Sequence, residues 1–384
     1  MNLKCESTDT VYPKGINKIK GEKMQKDIQK FSLIKRGMLT LSIACTSLIL
    51  LSTTPVQAKG PLTTEAKAEV SATNALTEER INAVLKEAYE KFKDNQDGKN
   101  ADYIKALEVV DSKIFGITLM TPDGKVYEIG DTNEVVSIQS ISKVFTAAKV
   151  IQEKGETFLQ EKIGVNATGL AFNSIIALEQ HGGSASNPFV NAGAIQSTSW
   201  VEAKDSKERW AKISGYMDDF AGKKLGFNDV VYDSEVNDNK RNQAISKILD
   251  AYGRMGSDPL EATTVYTKQC SVNISSHDLA VMGATFANDG VNPVTGKKVL
   301  DKKYVPKILA VMATAGLYDN AGDWLYLTGT PAKSGVGGGI LAIVPGKMGI
   351  GVVSPPLDKF GNSVRGQQAA AYIIEKLGIN PLAQ

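Results

Sequence analysis

Histidine is rare in this chain and cysteine is scarce. Its 384 residues include two histidines, His181 and His277, and three cysteines. Zinc hydrolases, and enzymes in which an imidazole activates a Ser or Cys nucleophile, need histidines at specific positions, so both classes are disfavoured. Cys5 and Cys45 lie in the first 58 residues, and the remaining cysteine, Cys270, cannot form an internal disulfide by itself.

Other common signatures are missing as well. The chain has no Gly-x-Ser-x-Gly nucleophile elbow, Walker phosphate loop or dinucleotide fingerprint at a predicted strand-to-helix junction. Its composition, 42% hydrophobic and 22% charged, is typical of a globular protein. We therefore expect a globular protein that works without a metal or another cofactor.

The first 58 residues have the pattern of a leader with a signal peptide. Lys35 and Arg36 precede an apolar run over residues 38–51, and Val56-Gln57-Ala58 offers small residues for cleavage. Fourteen residues are short for a membrane span, so we favour export to the periplasm or the exterior over an uncleaved membrane anchor.

Positive charge is concentrated in this leader. Residues 1–58 contain nine Lys or Arg and four Asp or Glu, whereas residues 59–384 contain 35 basic and 38 acidic residues, a formal charge of −3. The latter part has no basic run interleaved with aromatic residues, so nucleic acid is not an expected partner.

Regular structure is predicted to begin near residue 77. Residues 59–76 are rich in Ala, Thr and Pro and lack apolar periodicity, which indicates a flexible linker. From Thr77 onward, apolar residues recur at helical spacing and predict one amphipathic helix. They are Ile81, Val84, Leu85, Ala88, Tyr89 and Phe92.

Two β-hairpins are predicted, one near each end of the folded part. Each has two apolar stretches around a turn: residues 115–120 and 126–129 around Pro122-Asp123-Gly124, and residues 339–344 and 348–353 around Pro345-Gly346. Residues 365–377 predict a closing helix, and the sequence between the hairpins is mainly helical. The pattern predicts an α+β fold, with a central antiparallel sheet built from both chain ends and an inserted, mainly helical region.

Ser140 and Lys143 are a candidate nucleophile and base. Ser140 precedes a run that is apolar on much of its circumference, which predicts a buried helix beginning at the serine. Side chains three residues apart share a helix face, and a desolvated lysine can accept the proton of a serine hydroxyl. Ser32 and Lys35 have the same spacing, so this motif depends on its context.

A second lysine motif lies near the other chain end. Lys333-Ser334-Gly335 precedes Val336, three glycines and the strand-like residues 340–344. It resembles the Lys-Thr-Gly element of penicillin-recognising serine enzymes, with Ser in place of Thr. In the predicted fold this strand faces the helix of Ser140, which places two lysines near one hydroxyl.

Four sequence blocks in order resemble the serine-dependent glutaminases of the β-lactamase and penicillin-binding superfamily. The blocks are residues 137–143, 187–195, 266–271 and 332–339. The resemblance implies a β-lactamase-like fold, a catalytic domain over residues 77–384, and hydrolysis of L-glutamine to L-glutamate and ammonia. It also implies a homo-oligomer, either a tetramer or a dimer.

The resemblance also implies roles for individual residues. Ser140 would attack the side-chain amide and form a glutamyl ester that water then hydrolyses. Lys143 is the preferred proton acceptor and Tyr318 the alternative, while Lys333 supplies the second cation. The backbone N–H groups of Ser140 and Val336 would stabilise the oxyanion.

The remaining implied site residues bind the substrate. Glu235 would bind the α-ammonium, whereas Asn191, Asn242 and Tyr266 would bind the carboxylate or the amide, and Tyr103 would close the site. Each residue type has an ordinary structural alternative: an Asn as a helix cap, a Glu as a solvated charge, a Tyr as a packing residue. If residues 235–242 form one helix, Glu235 and Asn242 face the same way.

Two other functions remain open from the sequence. One is a penicillin-recognising acyltransferase or β-lactamase, which the absence of a Ser-Asp-Asn element disfavours, although Ser271-Val272-Asn273 has the Ser-x-Asn spacing. The other is an exported protein that binds an amino acid in the same pocket but has lost the catalytic activity. The intact Ser140, Lys143, Tyr318 and Lys333 argue against a pure binding protein.

Overall fold

The computed structural model describes residues 76–383. The predicted leader, and the predicted linker except Leu76, lie outside this part. The helices are α1 Glu78–Phe92, α2 Lys105–Glu108, α3 Ser142–Lys154, α4 Glu156–Phe158, α5 Ile175–Gln180, α6 Asn191–Trp200, α7 Ser206–Ala221, α8 Asp229–Asn237, α9 Lys240–Ala251, α10 Pro259–Cys270, α11 Ser276–Ala287, α12 Val305–Ala315, α13 Ala321–Thr328 and α14 Val364–Leu377. The strands are β1 Gly116–Met120, β2 Val126–Gly130, β3 Val136–Ser137, β4 Asn273–Ile274, β5 Ala332–Gly335, β6 Gly339–Val344 and β7 Met348–Val353.

Helix α1 forms where the apolar periodicity predicts it. The Thr77 side chain caps it by accepting a hydrogen bond from the Arg80 N–H, and Glu78 and Glu79 lie in the first turn, where they favourably oppose the helix dipole. The predicted stripe is the buried face of the helix, with Ile81, Val84, Leu85 and Ala88 as its buried residues.

A five-stranded antiparallel sheet is built from both chain ends, which confirms the prediction. Its strand order is β2-β1-β7-β6-β5, so the first hairpin joins the last one through the β1–β7 pairing. Both predicted hairpins are present, and β6 pairs with β7 from Gly339↔Val353 to Val344↔Met348. Most of the helices lie between β3 and β5 in the chain, as the inserted helical region requires.

Side chains of strand β7 point alternately to the two faces of the sheet, and a different hydrophobic cluster lies on each face. Met348, Ile350 and Val352 point into the cluster that contains residues of α1 and α14. On the opposite face the strand has glycines, and helix α11 packs directly onto it. A Cβ atom at Gly349 would lie 2.2 Å from the backbone nitrogen of Ala284, so this close approach depends on the missing side chain.

We expect Gly349→Ala to destabilise the fold by about 1–3 kcal/mol, because the added methyl overpacks the α11–β7 contact. The measurement is the free energy of unfolding in denaturant. Gly215→Ala in α7 is the matched control, since no described atom lies within 4 Å of its Cβ position apart from its two chain neighbours and the nearby backbone of its own helix. We expect that control to gain about 0.5–1 kcal/mol from helix propensity. Equal stability of the two variants would contradict the packing explanation.

Within residues 76–383, every helix is too short or too polar to cross a membrane.

Candidate active site

Ser140 lies in a short turn ahead of the buried helix α3. Residues Gln139–Ile141 form a 3-10 helix, and α3 begins at Ser142, so the predicted buried helix starts two residues later than expected. Gln139 has a φ of 51°, which is uncommon for a residue other than glycine. Ser140 is 6% exposed.

The turn between β5 and β6 packs on the backbone that leads to Ser140. A Cβ at Gly335 would lie 2.5 Å from the carbonyl oxygen of Ile138, and one at Gly337 would lie 2.2 Å from that of Ser137. The close approach that these glycines allow is to the chain segment carrying the nucleophile, and it places Val336 beside Ser140 at one cleft.

Lys143 is buried directly behind this turn. Its Nζ donates a hydrogen bond to Asn191 Oδ1 at 2.7 Å and lies 5.8 Å from the ring centroids of Phe172 and Tyr266. Burial penalises the ammonium and lowers the pKa of Lys143 to about 8, against smaller opposing effects of Cys270 and Glu235. A substantial fraction of the amine is therefore neutral, and able to accept a proton, at mildly basic pH.

Asn191 connects three side chains of the site. Its Oδ1 accepts hydrogen bonds from Lys143 and from the Tyr266 hydroxyl at 3.1 Å, and its Nδ2 donates to Asn242 Oδ1 at 3.0 Å. Asn191 is the first residue of α6, and the preceding Val190 occupies the cap position. The side chain therefore links α3, α9 and α10 instead of capping its own helix.

Lys333 and Tyr318 form a second buried pair. Lys333 Nζ donates to the carbonyl oxygens of Gly316 and Ser334 at 2.8 and 2.7 Å and lies 4.3 Å from the Tyr318 ring centroid. Burial, with the nearby positive charge of Lys143, holds the pKa of Lys333 well below its usual range. The strand carrying Lys333 thus lies beside the turn of Ser140, as predicted.

Tyr318 adopts a left-handed backbone conformation, with a φ of 53°. Among the described residues, its buried hydroxyl has no hydrogen-bond partner of normal geometry. Burial raises the pKa of Tyr318, while the nearby Ser140 and Ser334 hydroxyls act to lower it. The ring stacks at a tilt on Phe172, with the two centroids 4.8 Å apart.

Glu235 is the partly buried carboxylate of the cleft. Gln139 Nε2 donates to its Oε1 at 2.6 Å. Burial raises the pKa of Glu235 to about 7, and the Gln139 hydrogen bond and the charge of Lys143 offset part of that rise. A positively charged group entering the cleft would favour the ionised form.

These residues surround one cleft with a volume of about 200 Å³. Seven of the ten predicted site residues line it: Tyr103, Ser140, Asn191, Glu235, Asn242, Tyr266 and Val336. Lys143, Tyr318 and Lys333 lie beneath or beside it and contact its lining residues or each other. Tyr103 is 59% exposed and stands at the rim.

The sequence related Glu235 and Asn242 only on the condition that residues 235–242 form one helix. This condition is not met, because α8 ends at Asn237 and α9 begins at Lys240. Glu235 and Asn242 therefore reach the same cleft from two helices and not from one shared face. The Asn-Asp-Asn run at 237–239 favours such a break, since short polar side chains compete for backbone hydrogen bonds.

The cleft has polar groups that residue patterns alone did not single out. Gln139 binds Glu235, and Arg241 lines the rim with its Nε donating to the carbonyl oxygen of Asn173 at 2.8 Å. Each directly precedes a predicted site residue, Ser140 or Asn242. This adjacency is the feature of the sequence that could have indicated them. Within residues 76–383, no three His, Cys, Asp or Glu side chains gather as they would around a metal ion.

Comparison with known proteins identifies the family. A family model described as Glutaminase matches residues 98–381. The chain is 50% identical to the glutaminase of Colwellia psychrerythraea over 300 residues, which cover 78% of this chain and 96% of that relative. This chain belongs to the glutaminase family.

Solved glutaminases have the same fold. The structure named "Probable glutaminase ybaS" matches with a TM-score of 0.80 and 45% identity, covering 80% of this chain and 100% of that one. A structure of Mglu in its glutamate form matches with a TM-score of 0.74 and 34% identity, covering 78% of this chain and 69% of that one. The predicted β-lactamase-like α+β fold is therefore confirmed.

In this glutaminase, burial of Glu235 predicts a pH-dependent stability effect. Its pKa of about 7 exceeds the ordinary value of 4.5, so folding is penalised increasingly as pH rises from about 4.5 to about 7, and the penalty then stays constant. We expect Glu235→Gln to be more stable than the wild type by about 1–3 kcal/mol at pH 8.5 and by much less at pH 4.5.

Denaturant unfolding at the two pH values measures this difference. The exposed Glu134→Gln is the control and should change stability by a similar small amount at both. A Glu235→Gln protein that is less stable than the wild type at pH 8.5 would show that the carboxylate is stabilised where it lies.

Proposed function

We propose that this chain hydrolyses the side-chain amide of L-glutamine to L-glutamate and ammonia through an ester on Ser140. The observation that carries the proposal is the placement of Ser140 on a cleft that also presents Glu235, Asn191 and Asn242, with the buried amine of Lys143 behind it. Family membership and the glutamate form of the related Mglu structure support glutamine as the substrate.

The proposed reaction has two similar halves. The Ser140 oxygen attacks the amide carbon while its proton passes to neutral Lys143, and the backbone N–H groups of Ser140 and Val336 stabilise the oxyanion. The C–N bond then breaks, and the proton on Lys143 moves to the leaving nitrogen, which departs as ammonia. Water attacks the resulting ester, its proton passes to Lys143, and the C–O bond to Ser140 breaks with return of that proton.

Lys143 suits the role of proton acceptor better than Tyr318. Burial lowers the pKa of the lysine, which favours its neutral amine, whereas burial raises the pKa of the tyrosine and disfavours its phenolate. A neutral Tyr318 hydroxyl close to Ser140 is still able to relay a proton by donating one and accepting another. Lys333 lies over the Tyr318 ring, and burial disfavours the charged form of its amine.

Substrate selectivity is proposed to come from complementary charge and hydrogen bonding. Glu235 would pair with the α-ammonium, and ionisation of its carboxyl would be favoured by that contact. The amides of Asn191 and Asn242 and the hydroxyl of Tyr266 would bind the α-carboxylate or the side-chain amide. Tyr103 at the rim would cover the bound amino acid.

We expect Ser140→Ala to lower ammonia release from glutamine by at least about 10³-fold while the protein stays folded, because the substitution removes the oxygen on which the proposed ester forms. Ser246→Ala is the matched control, since Ser246 is a buried serine whose hydroxyl donates to the Gln243 carbonyl oxygen of its own helix. Near-normal activity of Ser140→Ala would exclude the serine mechanism. Parallel assays with asparagine and a chromogenic β-lactam define the substrate class.

The fall of activity toward acid pH should reflect protonation of the Lys143 amine. We expect kcat/KM for glutamine to rise with pH with a midpoint near 8, because the neutral amine predominates above its pKa of about 8. Lys143→Met should remove this dependence and lower kcat/KM by about 10²–10⁴-fold. Tyr318→Phe should leave the midpoint of the profile unchanged. A midpoint that moves in Tyr318→Phe would instead identify the tyrosine as the main base.

Two further properties are proposed from the sequence resemblance and the leader. The chain is proposed to be exported, with residues 1–58 removed, and to assemble as a homotetramer or homodimer. The mass of the protein recovered from cell fractions tests the first statement, and light scattering of residues 59–384 after gel filtration tests the second. Full-length protein retained in the membrane would favour the uncleaved anchor.

A further inference from the structure

A second buried polar cluster adjoins the site and has no part in the proposed chemistry. It consists of Thr146, Thr198 and Gln269, which are at most 1% exposed. The Thr146 hydroxyl donates to Gln269 Oε1, and Gln269 Nε2 donates to Thr198 Oγ1 at 2.7 Å. The Thr198 hydroxyl in turn donates to the carbonyl oxygen of Ala194 at 2.8 Å. Both ends of the Gln269 carboxamide are therefore used.

This cluster connects α3, α6 and α10, which are three of the four helices that the Asn191 hydrogen bonds join. Thr146 follows Lys143 by three residues on α3, and Gln269 follows Tyr266 by three residues on α10. Residues three or four apart lie on one helix face, and residues seven apart lie two turns along it.

On the third helix, α6, a residue of the site and a residue of the polar cluster also lie on one face. Thr198 lies seven residues after Asn191, two turns along the helix. The helices that present Lys143, Asn191 and Tyr266 are thus joined twice, once at the site and once a turn or two away from it. A shift of one helix by one residue, about 1.5 Å, would break the second set of hydrogen bonds.

We propose that Gln269 is a positioning residue that holds α3, α6 and α10 in register, so that Lys143, Asn191 and Tyr266 keep their hydrogen-bonded contact beside Ser140. The inference rests on the proposed glutamine hydrolysis. A buried carboxamide suits this role, because breaking either of its hydrogen bonds leaves an unsatisfied polar group in the interior, which is unfavourable.

Loss of the helix register should change the surroundings of Lys143, the proposed proton acceptor. The titratable groups around Lys143 are Tyr266 and Cys270 on α10, Glu235 on α8 and Lys333 on β5. None of them is altered by a substitution at Gln269. Loosening the helices would admit water around the amine, which favours its charged form and moves its titration to higher pH.

The test compares two leucine variants of the full chain, Gln269→Leu and Gln196→Leu. Gln196 is also a buried glutamine of the helical region, but it donates to the carbonyl oxygens of Lys162 and Arg254, at 2.8 and 3.1 Å. Unfolding midpoints, kcat and KM for glutamine, and the pH dependence of kcat/KM are measured for both. The wild type is assayed first, because absence of ammonia release from it would refute the proposed function itself.

We expect Gln269→Leu to lower kcat at least tenfold more than Gln196→Leu at a similar loss of stability. The acid midpoint of its kcat/KM profile should lie at least half a pH unit above that of the wild type. Equal activity losses in the two variants, with an unmoved midpoint in an active wild type, would make Gln269 a structural residue only and overturn the inference.

Substitutions at Thr146 test the same proposal independently. They also test it if the Gln269→Leu protein does not fold. Thr146→Val removes the hydroxyl at nearly constant shape and should reproduce the shifted pH profile, whereas Thr146→Ser retains the hydroxyl and should restore wild-type behaviour. In the Gln269→Leu background, Thr146→Val should add little, because the hydrogen bond it removes is already gone. Identical profiles for Thr146→Val and Thr146→Ser would contradict the proposal.

Discussion

The hydrogen bond from Lys143 to the side-chain oxygen of Asn191 is the contact on which the rest of the site depends. Within residues 76–383 this bond gives the buried lysine a strong polar partner and no carboxylate pairs with it directly, so burial is the largest influence on its pKa. A salt bridge there would raise the pKa and keep the amine charged. An amide oxygen positions the amine and leaves it able to accept a proton.

That contact requires a dry interior, and the sheet and helices provide it together. Helix α3 is buried along most of its length, and the β5–β6 turn covers the segment before Ser140 through glycines that allow backbone-to-backbone contact. The sheet joins strands from early and late in the described part of the chain, so the end of β5 and Val336 lie beside the turn of a serine almost two hundred positions earlier. Gln139, which directly precedes that serine, and Tyr318, which lies near it, both have positive φ angles, and such backbone strain is common at functional sites.

The elements that local patterns predicted well are those whose local and long-range preferences agree. Both hairpins combine apolar strands with a turn containing Pro and Gly, and α1 combines a Thr cap with an apolar stripe, so little can compete with them. The segment 235–242 was predicted less well. Its spacing fits one helix, but the polar run at 237–239 ends α8, and the two pieces pack separately around the cleft.

The sequence by itself determined the hairpins, the first helix and the Ser140–Lys143 spacing, because these depend on residues that are close along the chain. Only the tertiary structure decided that Asn191 binds Lys143, Tyr266 and Asn242 together, and that Gln139 binds Glu235. Those partners are 48 to 96 residues apart, and their contacts follow from how the helices pack. The lowered pKa of Lys143 has the same origin, since desolvation depends on everything that surrounds the amine and not on its neighbours in sequence.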